Sequence, residues 1–209
     1  AVLYAGTLSC FVYATKNTTA ANAIFLQYTA PIYILILSPF VLKEKFRIAD
    51  LVTVVLCIGG MTLFFVDSRD SLTAPNVYLG NIAALVSGVF FGVYILILRH
   101  PSSLRKNPAV SVFYGNILVV LIMAPVIAAN PPASITGTDV AALLFLGIFQ
   151  IGLSYILFTT GMAAGVRSMD ASIIGFIEPL FNPVWVFLFI GETPSATAIF
   201  GGLIIILTV

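Results

Sequence analysis

The chain has 209 residues, of which 60% are hydrophobic and only 8% are charged, and its formal net charge is +1. An ordinary soluble domain is about 45–50% apolar and about 25% charged, so this composition excludes a soluble globular protein. The apolar runs are long and do not alternate with polar residues, which favours membrane-spanning helices over a β-barrel. At about 20 residues per membrane helix plus a loop, the length predicts about eight spans in a lipid bilayer. The near-neutral charge gives no reason to expect binding to nucleic acid.

Apolar runs separated by polar turns predict the helices in chain order: a first run that ends near residue 15, then 20–42, 48–66, 78–98, 110–129, 140–161, 169–190 and 196–209. Charged residues, prolines and glycines mark the breaks between them. The first and last runs are short, because about 14 residues of helix reach only ~21 Å against a hydrocarbon core ~30 Å thick. We therefore expect a piece of a longer membrane protein, truncated at both ends.

Lysine and arginine are distributed unequally between the two sides of the predicted membrane. Seven of the nine fall on one side, namely Lys43, Lys45, Arg47, Arg99, Arg105, Lys106 and Arg167, and two fall on the other, namely Lys16 and Arg69. Cytoplasmic loops carry such an excess of positive charge. The bias predicts a multi-pass protein of the cell or inner membrane, with loops 43–47, 99–108 and 165–168 in the cytoplasm.

An internal repeat is visible at an offset of 148 positions. Pro31 and Glu44 in the first part of the chain correspond to Pro179 and Glu192 in the second part. Five predicted spans separate the two copies of this helix, and because five is an odd number, the copies have opposite orientations in the membrane. Inverted-topology repeats of this kind are typical of secondary transporters.

The repeat also predicts the domain organisation. Residues 1–67 are the C-terminal part of a first repeat, and residues 75–209 are the second repeat. The second part has five predicted spans and the first part has three, so we expect two more spans before Ala1. The predicted fold is an all-α integral membrane protein with ten helices in two inverted halves of five, of which about eight are present.

Two stretches of the chain carry a family resemblance. Asn22–Ile24, Tyr28–Pro31 and Leu42–Lys45 resemble one half of an EamA-type transporter of the drug/metabolite transporter superfamily, and Phe176–Leu180 with Phe189–Glu192 resembles the other half. The resemblance implies ten helices in two inverted halves around a central pathway for a small-molecule substrate. It says little about which substrate. Ala30 stands where the second copy has Glu178, so the halves are not functionally equivalent.

Glu178 is the strongest candidate for a functional residue, because it lies near the middle of a predicted span. A charged side chain there costs about 2.5–3.5 kcal/mol on insertion scales, so such residues usually face a cavity. There it would carry a proton or bind a cationic or amine-bearing substrate; the alternative is a structural glutamate at a helix contact. The next residue, Pro179, removes a backbone donor and frees a carbonyl one turn earlier, near Gly175, which predicts a hinge or a polar patch.

Further polar residues of the predicted spans are candidates for lining the pathway. Asn182 and Trp185 share a helix face with Glu178, since they follow it by four and seven residues. Gln27, Tyr28 and Tyr33 occupy the repeat-related helix. The remaining candidates are Asn81, Asn116, Gln150 and Ser154. For Asn182 the alternative is an interhelical hydrogen bond, and for Trp185 it is an interfacial position. The stripe of Gly80, Ala84, Gly88 and Gly92 predicts close helix packing.

The sequence argues against other classes of protein. The one histidine, His100, lies in a predicted loop, so no catalytic site or metal site that needs core histidine is expected, and no motif indicates a cofactor. We therefore expect a non-enzyme. The leading hypothesis is a secondary transporter coupled to protons or another gradient, working by alternating access in export or uptake. The alternatives are an uncoupled facilitator or exchanger of the same fold, and a membrane scaffold without transport.

Overall fold

The computed structural model describes residues 1–65, 75–104, 106–107, 109–131 and 134–179, the isolated residues 181, 184 and 188, and residues 196–209. These residues form helices joined by turns, with no strand among them. The helices are α1 (Val2–Asn17), α2 (Ala20–Gln27), α3 (Ala30–Val41), α4 (Ile48–Phe65), α5 (Val77–Arg99), α6 (Pro101–Leu104), α7 (Ala109–Ala129), α8 (Gly137–Phe145), α9 (Ser154–Ala163), α10 (Ser168–Ile174) and α11 (Ala196–Thr208). The prediction of an all-α chain is confirmed.

The helix predicted over residues 20–42 is not continuous. It is divided into α2 and α3 by a turn at residues 28–29. The physical reason is Pro31, which has no N–H to donate to the carbonyl of Gln27 four residues earlier. The start of α2 is capped by the hydroxyl of Thr19, which accepts a hydrogen bond from the Asn22 N–H.

Over the residues that the structure describes, the other predicted helices have the expected positions, with two irregularities. Residues 180, 182–183, 185–187 and 189–190 of the predicted helix 169–190 lie outside the described residues. The predicted helix 140–161 includes a π-helical segment, Leu146–Leu153, between α8 and α9. The predicted helix 169–190 is broken by a turn at residues 175–176, and residues 177–179 are helical again. The predicted loop 99–108 contains the short helix α6.

Among the residues that the structure describes, four stretches are long and apolar enough to cross a membrane by length and composition: Asn22–Val41, Val77–Arg99, Ala109–Ala129 and Gly137–Ala163. Shorter apolar helices are Ile48–Leu63 and Ala196–Thr208. Large hydrophobic side chains on these helices face outward, such as Phe40 and Leu207, which are 81% and 86% exposed. Exposure of this extent is unfavourable in water and neutral in lipid, so the outer surface fits a bilayer.

Helix α5 lies at the centre of the described bundle and packs against α1, α2 and α3. A Cβ added at Gly80 would lie 2.6 Å from the backbone nitrogen of Thr18, and one at Gly88 would lie 2.9 Å from the carbonyl oxygen of Gln27. Only glycine permits such close approach of two backbones. The prediction that the small-residue stripe of α5 serves close packing is confirmed.

Candidate functional site

The carboxylate of Glu178 meets the hydroxyl of Tyr28. Tyr28 donates to Glu178 Oε2 over 2.7 Å, and its hydroxyl also lies 3.0 Å from the carbonyl oxygen of Gly175. The side chain of Glu178 is exposed, whereas Tyr28 is half-buried. The site therefore joins residues 150 positions apart in the chain and brings together two of the candidates from the sequence.

Local breaks in two helices create this contact. Pro179 has no N–H, so the carbonyl of Gly175 loses its partner in the next turn of helix. That carbonyl accepts instead from the Glu178 N–H over 3.0 Å and from Tyr28. Tyr28 itself lies in the turn between α2 and α3. The buried ring of Phe176 packs against the Tyr28 ring, with 5.3 Å between the ring centroids.

More tyrosines extend the site away from Glu178. Tyr155 of α9 lies within electrostatic range of both Glu178 and Tyr28. Its ring packs edge-on against Tyr4 of α1, with centroids 4.8 Å apart, and Tyr4 packs in turn against Tyr94 of α5. Tyr4 and Tyr94 are buried and Tyr155 is half-buried. The rings of Tyr155, Tyr4 and Tyr94 thus form a series of contacts from α9 to α1 and α5.

Asn116 and Gln27 are drawn into hydrogen bonds between helices. Tyr4 donates to Asn116 Oδ1 of α7 over 3.3 Å. The Gln27 amide donates to the hydroxyl of Ser87 over 2.8 Å, and Ser87 donates to the carbonyl oxygen of Thr7 over 2.9 Å. This chain of bonds links α2, α5 and α1, and it directs the Gln27 amide to α5 rather than to Glu178.

The remaining candidates are dispersed. Asn81 accepts from Thr18 over 2.8 Å near the start of α5. Gln150 is exposed within the π-helical segment, and Ser154 donates to the carbonyl of Phe149 over 3.1 Å. Asn182 lies outside the described residues, as do Trp185 and Glu192. The structure thus unites Glu178, Pro179 and Tyr28, and places Asn81, Gln150 and Ser154 in separate local environments.

The sequence did not predict an ion pair that also joins distant parts of the chain. Arg167 Nη2 lies 2.7 Å from Asp50 Oδ2, and Arg167 Nη1 lies 3.3 Å from Asp170 Oδ1. Asp50 is only 8% exposed. The hydrogen bond to Asp50 raises the pKa of the Arg167 guanidinium above its usual value, and the charges of Asp170 and Glu44 add to this effect.

In the sequence, Arg167 contributes to the charge bias that predicts topology, and Asp50 has no predicted role. Asp50 lies in the first turn of α4, where a carboxylate favours the helix N-terminus, and that was the only available signal. Within the part of the chain that the structure describes, no three His, Cys, Asp or Glu side chains are grouped closely enough to hold a metal ion.

The comparison with protein families identifies the class. The profile of the EamA-like transporter family matches residues 1–66 and 78–209, which is nearly the whole chain. The chain therefore belongs to the EamA-like transporter family, and it is an integral membrane protein. The matched family is a family of transporters.

Individual relatives agree with this assignment. The chain is 24% identical over 206 residues to an uncharacterized transporter of Clostridium kluyveri, a match that covers 96% of this chain and 65% of that protein. It is 25% identical over 200 residues to the pseudopaline exporter CntI of Pseudomonas aeruginosa, covering 95% of this chain and 68% of that protein. The chain thus spans about two thirds of the length of these curated relatives.

A solved crystal structure shows the same fold. It superimposes with a TM-score of 0.82 at 20% sequence identity, and the match covers 98% of this chain and 70% of the other. At this level of identity the likeness concerns the fold alone.

Proposed function

We propose that this chain forms the larger part of a proton-coupled secondary transporter that moves a small organic metabolite by alternating access. The observation that carries the proposal is the contact of Glu178 with Tyr28 at the breaks of two helices. A carboxylate within an apolar span costs free energy unless it faces a polar cavity or has a partner, and such residues mark substrate and ion pathways. Breaks in transporter helices supply binding groups in the same region of the membrane. The substrate is a small molecule, protons are the coupling ion, and the lipid bilayer is the surrounding phase.

The positions of four helix starts support the proposed inverted repeat, and with it this mechanism. Helix α10 begins at Ser168, 148 positions after α2 begins at Ala20, and α11 begins at Ala196, 148 positions after α4 begins at Ile48. The turns at 28–29 and 175–176 fall at nearly equivalent places. The starts of these helices therefore follow the offset found in the sequence.

Contacts between repeat-related elements support the same symmetry. The counterparts Tyr28 and Phe176 touch each other, and α4 packs along α11, where Gly60 and Gly201 are in backbone contact. Equivalent surfaces meet each other only around a two-fold axis. In this proposal the two-fold axis passes near Tyr28. It relates residues 1–67 to residues 75–209, which belong to the two halves of a ten-helix arrangement.

Orientation and direction are parts of the same proposal. The excess of lysine and arginine places loops 43–47, 99–108 and 165–168 in the cytoplasm of a multi-pass protein of the cell or inner membrane. One relative is named as an exporter, which favours export over uptake.

Proton coupling through Glu178 is tested with the complete protein in proteoliposomes. The vesicles contain the pH indicator pyranine and receive a protein-free metabolite extract of the parent cells. We expect extract-dependent proton flux in the wild type and at least a tenfold lower flux in Glu178→Gln, because the amide cannot bind and release the proton.

The matched control is Glu44→Gln, which makes the same change at a glutamate between α3 and α4, outside the helices. It should keep the flux of the wild type. Equal flux in Glu178→Gln and the wild type would remove Glu178 from coupling. Transport of a metabolite from the extract that is independent of the pH gradient would instead identify an uncoupled facilitator.

A further inference from the structure

The charge distribution around Glu178 limits what the site can bind. Among the described residues, the lysines and arginines lie in loops or in terminal turns of helices, such as Lys16 at the end of α1 and Arg99 at the end of α5. Other described carboxylates of the apolar helices lie in first turns, as Asp50 and Asp139 do. No described positively charged side chain therefore lies beside the carboxyl group of Glu178. A cation would neutralise it, and an anion would be repelled.

The hydrogen bonds of Glu178 give a second restriction. An ionised carboxylate has two oxygens and about four sites that accept hydrogen bonds. Tyr28 has one hydroxyl hydrogen, which it shares between Glu178 Oε2 and the carbonyl of Gly175. The exposed carboxylate therefore retains acceptor capacity for a ligand that donates N–H groups. A protonated amine supplies both these donors and the positive charge.

The aromatic rings near Glu178 indicate the chemistry of the rest of the ligand. Tyr28 and Tyr155 are half-buried, so part of each ring remains accessible, whereas Phe176 and Tyr4 are buried behind them. Tyrosine rings attract a cation held over their faces and provide apolar contact to a hydrocarbon or aromatic body. Fixed packing of Tyr28 on Phe176 and of Tyr155 on Tyr4 reduces the entropy lost when a ligand binds.

We propose that the Glu178 site binds a monocationic amine with an apolar or aromatic body. The ammonium group donates to Glu178, and the body packs on Tyr28 and Tyr155. One carboxylate balances one positive charge, so a dication would leave an uncompensated charge in the apolar region. This assignment rests on the proposed function, and it adds the chemical class of the substrate.

The proposal is tested by equilibrium binding to the complete protein in detergent, with three probes that share a phenylethyl body. These are 2-phenylethylamine, the neutral 2-phenylethanol and the anionic 3-phenylpropanoate. We expect the amine to bind at least tenfold more tightly than either analogue. Glu178→Gln should remove this preference, and Glu44→Gln should leave it unchanged. Equal affinity for the three probes, or a preference that survives Glu178→Gln, would overturn the proposal.

The role of the rings has its own pair of variants. Tyr155→Phe keeps the ring and should bind the amine as the wild type does, whereas Tyr155→Leu should bind it several-fold more weakly. Loss of affinity in both variants would assign the effect to the hydroxyl and overturn the ring contact. Retained affinity in Tyr155→Leu would also overturn the ring contact.

Failure of this proposal is distinguishable from failure of the proposed function. Amine binding that depends on Glu178, without proton flux in proteoliposomes, would support the ligand class and contradict proton coupling. Proton flux that depends on Glu178, without preference for the amine, would support coupling and contradict the ligand class.

Discussion

Two contacts hold the same distant parts of the chain together, and they differ in chemistry. Tyr28 meets Glu178 where two helices are broken, and Arg167 meets Asp50 at the ends of α10 and α4. In the first contact a neutral hydroxyl donates to an exposed carboxylate. In the second, a guanidinium lies between Asp170 and the buried Asp50.

The difference separates a contact that holds the fold from one that serves binding. The guanidinium compensates the charge of Asp50 with a short, charge-assisted hydrogen bond, so the Asp50 carboxylate needs no further charged partner. A hydroxyl does not compensate the charge of Glu178, which remains available to a proton or a cation. Variants at the ion pair should therefore change stability most, and variants at Glu178 should change transport most.

Reversing the charge of Arg167 should have the largest effect on stability. Arg167→Glu places a third carboxylate beside Asp50 and Asp170, and we expect the free energy of unfolding to fall by about 2–4 kcal/mol, measured by thermal unfolding in detergent. The exchange of Arg167→Asp with Asp50→Arg should recover part of the loss. A single variant that unfolds like the wild type would show that the pair does not hold this end of the bundle.

Filling the close contact behind the α2–α3 turn should have the next largest effect. Gly88→Leu places side-chain atoms against the carbonyl of Gln27 and should destabilise by about 1–3 kcal/mol, with reduced transport because the turn that carries Tyr28 shifts. Gly161→Leu is the control, since no atom lies within 4 Å of its added Cβ. Similar unfolding temperatures for the two variants would contradict the packing described for α5.

Removing the hydroxyl of Tyr28 should have a smaller effect on stability. Tyr28→Phe keeps the ring contact with Phe176 but loses the donor to Glu178 and Gly175, which should cost about 0.5–1.5 kcal/mol. Tyr114→Phe removes a hydroxyl from an exposed ring of α7 and should change little. Chemical unfolding curves of the two variants are measured side by side. Coincident curves would show that the Tyr28 hydroxyl does not stabilise the fold.

The smallest effect on stability is expected at Gln150. The side chain is exposed, so Gln150→Leu should change the free energy of unfolding by no more than about 0.5 kcal/mol. If Gln150 lines the pathway, as the sequence predicts, extract-dependent proton flux should fall several-fold in this stable protein. Gln150→Asn, which keeps the amide, should retain more of the flux. Unchanged flux in Gln150→Leu would remove the residue from the pathway.

Properties carried by local sequence were predictable. The apolar runs predicted the helix positions, because the hydrophobic cost of membrane insertion depends on composition over about 20 residues. Glu178 was identifiable because a carboxylate within such a run is rare and costly. The small-residue stripe of α5 predicted close packing from its spacing alone.

Properties that depend on packing against other parts of the chain were not predictable from the sequence. The turn at residues 28–29 is not predicted by the sequence, although Pro31 follows it closely. Membrane helices often continue through proline with support from neighbouring helices, so the proline alone does not decide between a turn and a continuous helix. The Arg167–Asp50 pair joins residues 117 positions apart, and hydropathy contains no signal for their approach. The direction of the Gln27 amide toward Ser87 is likewise decided by packing against α5.

The π-helical segment Leu146–Leu153 gives this chain a tolerance to a change in length. Each turn with i→i+5 bonding takes one residue more than a turn of α-helix. Removing one residue from this segment would convert a wide turn to an ordinary one, and α9 would keep the side that packs against α5 and α7. In a regular helix such as α7, the same deletion would rotate every later side chain by about 100°. The segment is thus a place where the length of the chain can vary while Tyr155 keeps its contact with the Tyr4 ring.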